Sequence, residues 1–134
     1  MNIDWNEVEV LEKFFSNFSA QVLAQHPCRI DVGTLLNWLY SGQKVLILDI
    51  RTPNEYRTVK LTLENSLWIP MNELFKRENI KKLTQYGDHK IVVACRSGVR
   101  SLVATAFLQR VGFRNVYSLE GGITAIVSAV PYGD

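Results

Sequence analysis

Residues 90–112, KIVVACRSGVRSLVATAFLQRVG, decide the fold. The first part, KIVVA, is a continuous apolar run of strand length. Such runs suit a strand buried on both faces, as in a parallel sheet. The last part, RSLVATAFLQRVG, predicts a helix that places Leu102, Ala106, Val103 and Phe107 on one side and stops at Gly112. Between them lie Cys95, Arg96, Ser97, Gly98, Val99 and Arg100. Strand and helix joined by so short a loop form the βα unit of an open α/β sheet, whose sites lie outside the carboxyl ends of the strands. Cys95 stands at such an end.

Working outward, KVLILDI at 44–50 is a second buried-strand run, and shorter strands are expected at 66–70 (SLWIP) and 115–119 (NVYSL). Helices are expected at 33–41, at TPNEYRT around Pro53, in one or two pieces within 71–87, and after Gly121 and Gly122. Strands alternating with helices over short loops predict an α/β domain with a mostly parallel central sheet and helices on both faces. Ahead of it, Trp5, Val8, Leu11, Phe15, Phe18 and Val22 recur at three- and four-residue steps. They predict one continuous helix over 4–25, ended by His26-Pro27, whose apolar stripe must bury against something. The chain thus divides into an N-terminal helical extension, 1–28, and a domain, 29–134.

The 134 residues, 47% of them hydrophobic, suffice for one core. No apolar run approaches a membrane span, and the acidic N-terminus does not resemble a signal peptide, so a cytoplasmic protein is expected. Cys28 and Cys95 are the two cysteines. A disulfide between them stays open on sequence alone, but the lack of a secretion signal argues against it. With no Cys/His cluster, no metal is expected. The net charge of +2 is too small to point to nucleic acid. It is unevenly spread: Asp4, Glu7, Glu9 and Glu12 take four of the 13 acids, leaving nine to face all 15 bases. The first turns are either a solvated acidic helix start or an acidic arm over a basic face.

The chemistry of the cysteine loop follows from its residue types. Gly98 can take the positive φ that a tight anion-binding turn needs. Successive N–H groups, with the unpaired N–H groups and dipole of the following helix, can converge on one point. Arg96 and Arg100 bring guanidinium groups suited to oxyanions. Together these lower a thiol's pKa and make Cys95 a candidate nucleophile. A cysteine in an apolar strand is otherwise most often a packing residue. What argues against that here is the clustering of two arginines and a glycine.

Three stretches resemble the rhodanese-like sulfurtransferase family: LILDIRTPNEY at 46–56, CRSGVRS at 95–101 and GFRNVYSLEGGITA at 112–125. The resemblance implies a rhodanese-like fold over about residues 30–130, with Cys95 as the sulfur-carrying nucleophile. It implies a persulfide held by residues 96–100, a small sulfur donor such as thiosulfate, a thiol or protein as acceptor, and no cofactor. Cys95 and Arg100 are separated by four residues, where related phosphatases and arsenate reductases have five, so the smaller ring favours sulfur over phosphate. Asp49, Arg51 and Glu55 match the family's acidic–basic–acidic signature; Arg51 and Glu55, four apart, are expected to pair as a structural support. Two departures stand out. The segment 57–66 is longer than its counterpart in the family and lacks the His and Gly found there, and Ile126 replaces a Trp. The alternatives are a non-catalytic binding or regulatory module and, less favoured, a Cys-based phosphatase or arsenate reductase. The N-terminal helix could pack on the domain or mediate a homodimer.

Overall fold

The computed structural model describes residues 1–129. In chain order it holds α1 (Trp5–Phe15), α2 (Ala20–Gln25), β1 (Arg29–Ile30), α3 (Val32–Tyr40), β2 (Val45–Asp49), α4 (Pro53–Thr58) and β3 (Ser66–Trp68). A 3₁₀ turn (Met71–Glu73), α5 (Arg77–Thr84), β4 (Lys90–Ala94), α6 (Val99–Arg110), β5 (Val116–Leu119) and α7 (Gly122–Ala129) complete it. The five strands form one sheet in the order β1-β5-β4-β2-β3, and every pairing is parallel.

The two apolar runs become the sheet's centre. β2 and β4 pair over their full length, from Val45 opposite Lys90 to Asp49 opposite Ala94. Alternate residues divide between two cores. Leu46, Leu48, Ile50, Ile91, Val93 and Cys95 face Ala104 and Leu108 of α6 together with Leu74 and Leu83. Val45, Ile47, Val92 and Ala94 face Leu35, Ile123 and Ile126 of α3 and α7. Helices on both faces explain why these strands are apolar throughout rather than alternating. Trp38 packs against the same cluster as Ile126, on the face where the family's aromatic residue is missing. Trp68 stacks instead on Tyr56, with ring centroids 4.2 Å apart.

Three expectations change. The continuous helix over 4–25 is two helices: α1 ends in a turn at Ser16, and Ser19 caps α2 by accepting from the Val22 N–H. Periodicity saw the shared apolar stripe but not the Ser-Asn-Phe-Ser break, where hydroxyls compete for backbone donors. That stripe is not buried: neither α1 nor α2 contains a buried residue. On α6, the side facing the sheet is Ser101, Ala104, Thr105 and Leu108, whereas Leu102, Val103 and Phe107 face outward. The short strand β1 had no sequence signal, since two residues show no period.

Polar groups at the end of β2 are also buried. Asp49 and Arg51 have side chains 1% and 4% exposed and form an ion pair at 2.8 Å. Arg51 Nε also donates to Asp49 Oδ1 at 3.0 Å, Nη1 donates to the Glu55 carbonyl and Nη2 to the Val59 carbonyl. The expected Arg51–Glu55 side-chain pair therefore does not form; Arg51 turns to Asp49 and to the backbone of the 57–66 segment. Removing one member of a buried pair leaves an uncompensated charge, typically a loss of about 3–5 kcal/mol. Arg51→Ala is expected to lose stability of that order in urea denaturation. Lys44→Ala, which breaks the exposed Lys44–Asp88 pair, should change it far less, because solvent screens that pair.

Candidate active site

The loop after β4 turns because Gly98 has φ 103°, a backbone conformation that side-chain-bearing residues rarely adopt. This turn directs its N–H back at Cys95 Sγ at 3.1 Å. α6 starts at Val99, one residue earlier than the sequence predicts, with Gly98 as its N-cap. The Ser101 N–H then also reaches Sγ, at 3.4 Å, with Ser101 Oγ 3.5 Å away. Cys95 is 1% exposed, so its sulfur lies on the floor of the loop.

Ionisation of Cys95 is a balance. Burial pushes the thiol up. Hydrogen bonds from the Ser101 hydroxyl and from the N–H groups of Ser101, Gly98 and Ser97 outweigh it, and the thiol is held below its ordinary range. Behind Ser101 stands Ser118 of β5, fully buried, with the two hydroxyl oxygens 2.8 Å apart. A thiolate can only accept, so in the ionised state Ser101 donates to sulfur and Ser118 donates to Ser101.

The loop is held from two sides. Arg100 Nη1 and Nη2 donate to Glu55 Oε1 and Oε2, both at 2.8 Å. This bidentate geometry is the strong form of an ion pair. The hydrogen bond from Arg100, with help from Thr52 and against burial, holds the Glu55 carboxyl down to about 2. Glu55 reaches Arg100 because a capping box at the start of α4, with Thr52 as N-cap, fixes its position. On the other side, the α7 backbone grips the loop: the Ile123 N–H donates to the Cys95 carbonyl at 2.8 Å and the Thr124 N–H and hydroxyl donate to the Arg96 carbonyl. Gly122 makes that approach possible, since a Cβ there would lie 2.2 Å from the Cys95 carbonyl oxygen. The sequence placed a helix after the glycine pair; the second glycine also seats that helix, α7, against the cysteine loop.

The predicted site residues thus take different places. Cys95, Gly98 and Arg100 come together, with Glu55 joining them rather than Arg51. Ser101, named in the sequence only as the helix start, belongs to the sulfur's surroundings. Ser97 and Val99 are exposed. The exposed Arg96 lines a cavity of about 460 Å³ between α4 and α7, with Arg51, Thr58, Ile123 and Ser128. Cys28 and Cys95 are both free thiols. Among the described residues no helix is long and apolar enough to cross a membrane.

Comparisons with known proteins agree with this fold. A family model described as the rhodanese-like domain matches residues 31–129. A sulfurtransferase of Allochromatium vinosum is 36% identical over 97 residues, which cover 72% of this chain and 84% of that protein. The "Probable adenylyltransferase/sulfurtransferase MoeZ" of Mycobacterium tuberculosis is 36% identical over 91 residues, 68% of this chain but 22% of its own length. This chain therefore matches about a fifth of that larger relative. A rhodanese-related protein from Thermoplasma volcanium superposes with a TM-score of 0.61 at 31% identity, covering 77% of this chain and 94% of that one.

The electrostatics of the loop make a direct prediction. In a Cys28→Ser background, the pH titration of thiolate ultraviolet absorbance should have its midpoint below that of an ordinary cysteine. Ser101→Ala should move that midpoint up. A wild-type midpoint at or above the ordinary value would contradict the hydrogen-bonding account.

Proposed function

The chain belongs to the rhodanese-like domain family, and we propose that it is a sulfurtransferase whose Cys95 carries sulfur as a persulfide. The observation that carries this proposal is the convergence of the Gly98 and Ser101 N–H groups on Cys95 Sγ, at 3.1 and 3.4 Å. Such donors stabilise an anion at the sulfur without metal or proton transfer.

The reaction proceeds in two displacements. The Cys95 thiolate attacks the outer sulfur of a donor such as thiosulfate. A Cys95 S–S bond forms, the donor's S–S bond breaks, and sulfite leaves with the electron pair. The charge now rests on the terminal sulfur of the persulfide, one bond further out, and in this proposal the backbone N–H groups of residues 96–100 hold it there. A nucleophilic acceptor, such as cyanide in an assay or a thiol of a small molecule or protein, then attacks that sulfur and restores the thiolate. Arg100 is committed to Glu55, so its role is to hold the loop's shape and add positive potential. Arg96 is the cation left to meet an incoming anionic donor, because it makes no ion pair among the described residues.

A ring of four residues between Cys95 and Arg100, with the sulfur at its floor, fits a single sulfur atom better than a phosphoryl group. Thiosulfate and cyanide are expected to yield thiocyanate, and Cys95→Ser to abolish it. Arg100→Ala should lower turnover by about tenfold or more, because it frees the loop and strands Glu55, whereas Lys82→Ala leaves it unchanged. Turnover retained in Cys95→Ser, or equal losses in Arg100→Ala and Lys82→Ala, would contradict the proposal.

A further inference from the structure

Two apolar stripes at helical spacing have nothing over them among the described residues. On α1, Trp5, Val8 and Phe15 share one side and are 72%, 42% and 63% exposed. α1 meets its own domain from a neighbouring side, where Leu11 and Phe14 are half-buried. Glu7 also pairs with Arg110 in the last turn of α6. On α6, Val99, Val103 and Phe107 follow at four-residue steps and are 73%, 48% and 50% exposed, with Leu102 beside them. This second stripe borders a cavity of about 270 Å³ whose lining is wholly apolar: Met71, Leu74, Phe75, Val103, Ala104 and Phe107. Contiguous apolar surface of this kind marks an interaction site.

The charges around the two stripes are complementary. Glu9 and Glu12 flank the α1 stripe, and neither forms an ion pair among the described residues. Phe75 of the cavity is followed in the chain by Lys76, Arg77, Lys81 and Lys82, all exposed; Lys76 pairs with Glu73, which leaves Arg77, Lys81 and Lys82 against the single acid Glu78. An acidic helix with an apolar stripe therefore matches an apolar groove with a basic flank, and this chain has one of each. Within one molecule they do not meet, since the Glu7–Arg110 pair keeps α1 at the far end of α6 with its stripe outward.

We propose that the occupant of each surface is a second copy of this chain, with α1 of either copy lying along α6 of the other about a two-fold axis. The reciprocal arrangement covers both stripes on both copies. A one-way contact would leave one stripe bare at each end and add copies without closing. The covered stripe begins at Val99, inside the cysteine loop, so the partner's α1 forms a wall beside the mouth of the site. The pairing rests on exposed surface alone and stands whether or not the sulfur chemistry does.

The test is the solution mass of the full chain by light scattering and sedimentation, for the wild type and two double variants. These are Trp5→Glu with Val8→Glu, and Val103→Glu with Phe107→Glu. All four positions are exposed, and circular dichroism checks that the fold is kept. The wild type should be a dimer weakened by salt, and each double variant a monomer. Mixing the two variants should restore a heterodimer, weaker than the wild type, because the intact helix of one meets the intact groove of the other. A wild type that stays monomeric at high micromolar concentration would overturn the proposal. So would a dimer that survives either double variant, or a mixture that gives no heterodimer.

Discussion

The hydrogen bond from the Gly98 N–H to Cys95 Sγ makes the chain turn back on a side chain it has just left. That turn needs a residue tolerant of φ 103° at position 98 and a helix that begins immediately afterwards. It also needs a strand end that does not move. β4 supplies the last, being paired on both sides, with β2 and with β5. The same geometry buries the sulfur and still lowers the pKa of its thiol. Ordinarily these oppose each other, because burial favours the neutral thiol. Here the donors of the loop outweigh burial and hold the thiol below its ordinary range, with Ser118 behind the Ser101 hydroxyl.

The polar residues at the end of β2 serve this loop indirectly. Asp49 neutralises Arg51, and Arg51 gathers the backbone at Glu55 and Val59. That leaves the Glu55 carboxylate free to reach across to Arg100. With its carboxyl held down to about 2, Glu55 stays ionised across neutral pH, and its pairing with Arg100 is lost only as pH falls from the ordinary carboxylate range toward that value. The segment 57–66, atypical for the family, is tied into this arrangement through the Val59 carbonyl. Its unusual length thus lies beside the support of the site rather than at the nucleophile. From the other side, Gly122 lets α7 approach the Cys95 carbonyl closely enough to accept no side chain.

Much of this was legible in the sequence where one force acts alone. Continuous apolar runs at 44–50 and 90–94 have the length and composition of strands buried on both faces, and they became β2 and β4. The convergence of Cys95, Gly98 and a helix start was legible because backbone donors at that turn have few other uses. What was not legible depended on choice among partners. Spacing offered Glu55 to Arg51, but a buried Asp49 outcompeted it and Arg100 took Glu55 from across the fold. Ser118 sits in the strand stretch VYSL with nothing to distinguish it, and its role appears only when α6 places Ser101 opposite. Helical spacing found the apolar stripes of α1 and α6 but not the direction in which they point. On α6, small residues (Ser101, Ala104, Thr105) face the sheet, because the close approach to β4 and β5 leaves no room for larger ones.

The measurement closest to the central claim is site-resolved mass spectrometry of the full chain after incubation with thiosulfate, under conditions that preserve persulfides. The account predicts one added sulfur, carried by the peptide containing Cys95 and absent from that containing Cys28, whose sulfur, among the described residues, receives only a long contact from Gln109 Nε2 at 4.0 Å. It also predicts that the modification falls sharply in Ser101→Ala. Sulfur on Cys28 alone, equal loading of both thiols, or an unmodified but folded chain would contradict it.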